Sequence, residues 1–280
     1  MKINASHRLT GPDGRVVPSY DTPNRGGNFG SGKPDFLIIH YTAGGTADGA
    51  ISWFRNPAAK ASAHLVIDHN GAITQLAPFN IVTWHAGKSL WGGISGLNSY
   101  SIGIEIVNWG LLKGGPGNWK SYTGTSVPDS RVIAARHKNF EPSVVHGWEI
   151  FDEAQFGATV AAAQAIVAKY GIPAANVLGH DDISPGRKQD PGPAFAMDRF
   201  KGLVFGRASD DGIMMMVRSA TGLNLRAGPG TGQPVLVNLP DGTLVRPMGS
   251  DGAWIQVTAL DSSGNDDRTG WVHGNWLIDA

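Results

Sequence analysis

Apolar and polar positions change period several times along the chain, and those changes mark its elements. Residues 1–34 hold neither a helical nor a strand period, and Pro18, Pro23, Pro34 and the run GGNFGSG predict an irregular lead-in. Phe36-Leu37-Ile38-Ile39 is an unbroken apolar run bounded by Pro34 and by Thr42-Ala43-Gly44-Gly45. That is the pattern of a buried strand, and His40 stands at its end. A short helix is expected from Ala47 to Arg55, stopped by Asn56-Pro57. His64 to Ile67 and Ala72 to Leu76 flank Asp68-His69-Asn70-Gly71, a hairpin signal. Trp84-His85-Ala86-Gly87 opens a loop rich in glycine and tryptophan. Ser101 to Val107 reads as a strand with Ile102, Ile104 and Ile106 on one face and Gly103, Glu105 and Val107 on the other. A carboxylate inside such a strand is costly unless it has a partner or a task.

Residues 108–150 carry glycine, proline and aromatics without a period, and predict a long irregular insertion of the kind that is usually functional or flexible. Asp152 to Tyr170 is the clearest helix. Phe156, Val160, Ala163, Val167 and Tyr170 make its apolar stripe, acids open it, and Gly171 and Pro173 close it. A brief strand, Asn176 to Leu178, leads to His180. The segment 201–212, KGLVFGRASDDG, reads as a linker. From Ile213 onward short strands alternate with turns, at Leu223 to Arg226, Val235 to Leu239, Thr243 to Arg246, Trp254 to Thr258 and Gly270 to Val272, which predicts a small all-β barrel. The expected division is a lead-in (1–34), a first domain (35–200), a linker (201–212) and the barrel (213–280).

Composition narrows the options. At 280 residues, 41% hydrophobic and 16% charged, the chain is globular and has room for one large domain or two ordinary ones. Its 39 glycines and 17 prolines fit a loop-rich protein. A formal net charge of zero argues against nucleic acid as a partner. The absence of cysteine excludes disulfides, thiolate metal sites and a cysteine nucleophile. The start MKINASHRLTGPDG lacks the apolar core of a secretory signal, and no apolar run is long enough to predict a membrane span.

The densest chemistry lies in GHDDISPGRKQDPGPAF, residues 179–195. His180 and Asp190 are both metal-ligand types. Pro191 biases Asp190 toward an extended backbone, so Lys188 and Asp190, two residues apart, should face one site. With His40 these give a His-His-Asp set, and a catalytic zinc usually keeps three protein ligands and one open position. Glu105 would suit proton shuttling and Lys188 would suit an oxyanion. Spacing alone leaves the metal reading and a structural one equally open. His7, His137 and His273 read as surface groups, His64 as a core histidine, Arg187 as an ion-pair partner, and Asp181 and Asp182 as turn groups.

Five motifs in order, IIHYTAG (38–44), SAHLVID (62–68), WHAG (84–87), LNSYSIGIEIVN (97–108) and the 179–195 segment, resemble the zinc-dependent N-acetylmuramoyl-L-alanine amidases of the type 2 family, over about Asp35 to Phe200. The resemblance implies an α/β fold with a mixed central β-sheet flanked by helices. It implies Zn2+ held by His40, His180 and Asp190, with Glu105 as general acid/base and Lys188 as stabiliser of the tetrahedral intermediate. The substrate implied is the amide between N-acetylmuramic acid and L-alanine in peptidoglycan. LNLRAGPGT (223–231), DGT (241–243), WIQV (254–257) and GWVHGNWL (270–277) resemble bacterial Src-homology-3-like domains, which bind cell-wall polymers. His85, Tyr41, Asn98 and Trp84 are candidate substrate contacts, and among Trp84, Trp91 and Trp109 at most two should meet sugar rings. The expected partner is peptidoglycan, met by a monomer at the cell wall after phage-type release or delivery by a secretion system. The alternatives are a recognition module without turnover and a cytosolic muropeptide-recycling amidase.

Overall fold

The computed structural model describes residues 1–32, 34–205 and 214–280. Its centre is a five-stranded sheet of β1 (Phe36–Tyr41), β2 (Leu65–Ile67), β3 (Ile73–Gln75), β4 (Ser101–Ile106) and β5 (Val177–Gly179), in the order β5-β1-β4-β2-β3. Strands β1, β2, β4 and β5 run parallel, and β3 returns antiparallel to β2 through the expected hairpin. The helices are α1 (Ala47–Arg55), α2 (Glu153–Tyr170), α3 (His180–Ile183) and α4 (Met197–Phe205).

The two-residue period of the strands sorts side chains to two unlike faces. Leu37 and Ile39 of β1, Leu65 and Ile67 of β2, and Ile102, Ile104 and Ile106 of β4 enter the main core. There they meet Phe156, Val160, Ala163, Ile166 and Val167 of α2. Each large aliphatic side chain buried this way stabilises the fold by about 1.5–3 kcal/mol relative to exposure. The opposite face is thinner: Phe36 and Ile38 pack on Ala86, Leu97 and Ile183, and Val66 and Val107 pack on Phe54 of α1. His40, Gly103 and Glu105 alternate onto this second face.

Local chemistry sets the helix ends. Thr46 accepts a hydrogen bond from Gly49 N–H at the start of α1, and Asn56 with Pro57 ends it. Asp152 caps α2, with the Gln155 side-chain oxygen accepting from the Asp152 N–H at 2.8 Å. Gly171 closes α2 with φ +68°, its N–H donating to the Val167 carbonyl.

Four expectations change. The insertion at 108–150 is not wholly irregular: Leu111–Leu112, Val132–Ala135 and His146–Glu149 form a three-stranded sheet, and Trp119–Lys120 pairs with Ser126–Val127. These two- to four-residue strands are too short to leave a period in the sequence. His137 in the same insertion is buried, 3.1 Å from Asp181 Oδ2 and stacked on buried Trp148, so it is no surface group. In the lead-in, Arg25–Asn28 pairs with Ile81–Thr83 through its backbone although all four of its residues are exposed. The linker expected at 201–212 begins as helix, because Phe200 and Val204 continue the apolar stripe of α4; residues 206–212 lie outside those described.

The C-terminal region is all β. Seven strands, from Met215–Val217 to Leu277–Asp279, form one antiparallel sheet around Val217, Leu225, Val245, Ile255, Val257 and Val272. It is joined to the rest by more than the chain. Glu153 of α2 and Arg199 of α4 make a buried two-pronged ion pair at 2.7 and 2.8 Å, directly against Gly274. Asp279 accepts from the Asp198 N–H at 2.8 Å. Among the described residues no helix is long and apolar enough to cross a membrane.

Candidate metal centre

In open α/β sheets, ligands gather outside the carboxyl ends of parallel strands. Here His40 lies near the carboxyl end of β1, Glu105 near that of β4, and His180 directly follows β5. The parallel register sets Glu105 beside His40. Asp190 returns to the same place on the loop after α3, where its carbonyl accepts from the Asp181 N–H at 2.8 Å.

Three donor atoms converge. His40 Nδ1 and His180 Nδ1 are 2.9 Å apart, and Asp190 Oδ2 is 3.0 Å from the first and 2.9 Å from the second. All three residues are buried. His180 Nε2 is 3.0 Å from the Ala86 carbonyl oxygen, which can only accept, so that nitrogen carries a proton and Nδ1 is the ring atom left for a metal. Burial would raise the Asp190 carboxyl, but His180 and His40 beside it hold it well below the usual carboxylate range. Burial first, and His180 second, push His40 down to about 4, so its imidazole is neutral at pH 7. Two imidazoles and one carboxylate around a common point are the donor set of a transition-metal site with an open position. The residues present fit such an ion.

The triangle opens on a cavity of about 370 Å³ lined by Tyr41, Trp53, Trp84, Glu105, Arg187 and Lys188 among others. Lys188 and Asp190 do face one site. Glu105 is only 9% exposed, and its Oε2 has no hydrogen-bond partner among the described residues. Burial, and then Asp190, push its carboxyl well above the ordinary range, with Lys188 pulling the other way. Tyr41 is raised by burial and by Asp190.

Of the expected substrate contacts, Trp84, Tyr41 and His85 line this cavity and Asn98 does not. Asn98 instead accepts from the Ala86 N–H at 2.7 Å and braces the loop. Trp91 and Trp109 also lie outside the cavity lining. Among the described residues Arg187 has no ion-pair partner; its Nη2 donates to the carbonyls of Ala86 and Lys88, each at 2.8 Å. Trp53 was not expected. It is 56% exposed on α1 beside buried Phe54, and adjacent helical positions cannot share a face, which is the one signal the sequence held for it. A larger hollow of about 590 Å³ lies between Asp129, Ser130 and Val132 and the C-terminal Trp254, His273 and Trp276. Among the described residues it holds no comparable ligand set, so donor chemistry, not volume, marks the centre.

A family model described as N-acetylmuramoyl-L-alanine amidase matches residues 30–193, and one described as bacterial SH3 domain matches residues 221–278. The chain is 35% identical over 166 residues to N-acetylmuramoyl-L-alanine amidase AmiD of Escherichia coli, covering 57% of this chain and 49% of that protein. It is 32% identical over 145 residues to 1,6-anhydro-N-acetylmuramyl-L-alanine amidase AmpD of Salmonella typhimurium, covering 52% and 58%. A solved complex of the Escherichia coli AmiD with anhydro-N-acetylmuramic acid-L-Ala-D-gamma-Glu-L-Lys aligns with TM-score 0.47 and 29% identity over 68% of this chain and 62% of that one. The chain spans about half the length of the curated relatives it matches. With more than half of its residues inside one family model, the chain belongs to the N-acetylmuramoyl-L-alanine amidase family.

Proposed function

We propose that this chain hydrolyses the amide between N-acetylmuramic acid and L-alanine in bacterial peptidoglycan, at a zinc site formed by His40, His180 and Asp190. The observation that carries the reading is the triangle of two imidazole nitrogens and one carboxylate oxygen, 2.9–3.0 Å on a side, two of whose members, His180 and Asp190, line a cavity with Glu105 and Lys188. Zinc bound there supplies Lewis acidity, which lets water ionise near neutral pH. Glu105 takes the proton from the attacking water and returns it to the departing alanine amine; its raised pKa suits both directions of transfer. Lys188 places its ammonium toward the oxyanion that develops on the lactyl carbonyl. Tyr41 walls the cavity, and Trp84 and Trp53 offer aromatic surface at its rim for a sugar ring. The C-terminal region, separate in the division proposed for the chain, holds the enzyme on wall polymer and raises its local concentration. We put the reaction at the cell wall, because a wall-binding region would serve no purpose on soluble fragments.

The test is digestion of purified sacculi, with new N-terminal alanine counted and products weighed by mass spectrometry. Appearance of free stem peptides in step with bound zinc supports the reading; intact sacculi with zinc present would sink it. The AmpD relatives are named for 1,6-anhydro substrates, which favours a second reading in which soluble anhydro-muropeptides are preferred. Comparing rates on sacculi and on soluble fragments separates the two.

A further inference from the structure

We infer that His85 is a positioning residue for His40: it dictates which His40 ring nitrogen carries the proton and thereby keeps Nδ1 bare for the metal. The inference rests on the zinc reading above and deepens it. It stands on a chain of hydrogen bonds whose direction is fixed at its far end. His85 Nε2 is 3.2 Å from the Ser101 carbonyl oxygen and 3.1 Å from Ser101 Oγ. The carbonyl can only accept. Ser101 Oγ spends its own proton on the Leu97 carbonyl at 2.6 Å, so it too can only accept from His85. His85 Nε2 is therefore protonated and His85 Nδ1 is bare. His85 Nδ1 lies 3.0 Å from His40 Nε2, which must then be the donor. With the His40 proton on Nε2, Nδ1 enters the triangle as a lone pair.

Packing holds the relay in place. The His85 ring is only 8% exposed and crosses His40 edge-on at 83°, with centroids 5.1 Å apart. It lies against the bare backbone of Gly103 in β4: a Cβ there would come within 2.4 Å of His85 Cγ and 2.6 Å of Nδ1. On the strand face that also carries His40 and Glu105, a glycine is thus required by the ring that rests on it. A flipped His85 ring would turn carbon toward both Ser101 and His40 and lose every bond of the relay. With both ring nitrogens engaged inside the protein, His85 orients a ligand and has no hydrogen bond left for substrate.

The experiment has two arms. In long-range 1H–15N spectra of the zinc-free protein, His40 should appear as the Nε2-protonated tautomer. In competition with a chromophoric chelator, His85→Leu should bind zinc about 10- to 100-fold more weakly than the wild type, the usual effect of losing such an outer partner. His85→Gln, whose side-chain oxygen accepts from His40 Nε2–H, should recover most of that loss. Gly103→Ala, which displaces the ring without changing its chemistry, should weaken binding as His85→Leu does. Thermal unfolding of each zinc-free variant checks its fold. A His40 protonated on Nδ1, or a folded His85→Leu that binds zinc like the wild type, overturns the inference. A wild type that takes up no zinc fails the metal reading instead, and the His40 spectrum, which needs no metal and no variant, still decides the tautomer.

Discussion

Glu105 and His40 are register partners on adjacent parallel strands, so a proton carrier and a metal ligand are fixed beside each other by backbone hydrogen bonds and not by a loop. Removing the carboxylate alone should therefore leave the ligands where they are. Glu105→Gln is expected to keep its zinc and lose turnover by about 10²–10⁴-fold, the usual share of general acid–base catalysis. Metal content measured alongside the initial rate on sacculi checks both halves, and full activity in Glu105→Gln would remove its role.

The three donors sit 2.9–3.0 Å apart and are buried. Chelation should lower thermal stability as well as activity, because lone pairs brought that close are stabilised by a cation. Zinc at a thousand times its dissociation constant should restore about 4 kcal/mol. His180→Ala and Asp190→Ala should each abolish that response in scanning calorimetry, and a ligand variant that still gains stability from zinc would refute the assignment.

Acid should weaken the helix that covers the sheet. Asp152 caps α2 and pairs with His69 at 2.9 Å and Arg131 at 2.7 Å. Burial acts to raise its carboxyl, but His69 and Arg131 outweigh it and hold the carboxyl down to about 2. A depressed carboxyl contributes fully above its unfolded pKa of about 3.9 and loses that contribution as pH falls through the folded value. Asp152→Ala should cost about 1 kcal/mol at neutral pH from the lost His69 and Arg131 contacts. In urea titrations the gap to wild type should narrow from about pH 4 to pH 2. A gap that does not change over that range would contradict the ion-pair account.

The joint between α2, α4 and the C-terminal sheet depends on the Glu153–Arg199 pair, with the Arg199 guanidinium also 4.4 Å above the Phe156 ring. Glu153→Gln leaves a buried guanidinium without its counter-charge and should cost about 3–5 kcal/mol. Gly274→Ala would bring a Cβ within 2.3 Å of Glu153 Oε1 and should loosen the same joint. Because both act on one contact, their effects should not add. Denaturant midpoints of the two single variants and the double variant test this.

Much of the architecture was legible because it is periodic. The Phe36-Leu37-Ile38-Ile39 run, the alternation of Ile102, Ile104 and Ile106, and the stripe from Phe156 to Val167 each repeat along the chain, and each became the element expected. Glu105 was legible for a related reason, since a charge inside an apolar strand contradicts its surroundings. The short strands between residues 111 and 149 were not, because a two-residue strand has no period and exists only through its partner.

Taken alone, the chain named the ligand types and proposed the set His40, His180 and Asp190, but its spacing left a structural reading equally open. Tertiary structure brought the three within 3.0 Å although His40 and His180 stand 140 positions apart. It also took Asn98 out of the cavity, added Trp53, and turned His85 from a loop histidine into the neighbour of a ligand. The physical reason is that a side chain's type and period are local properties that a sequence carries. The direction of a lone pair depends on which nitrogen bears the proton, and that is decided by acceptors such as the Ser101 and Ala86 carbonyls, which only folding brings into reach.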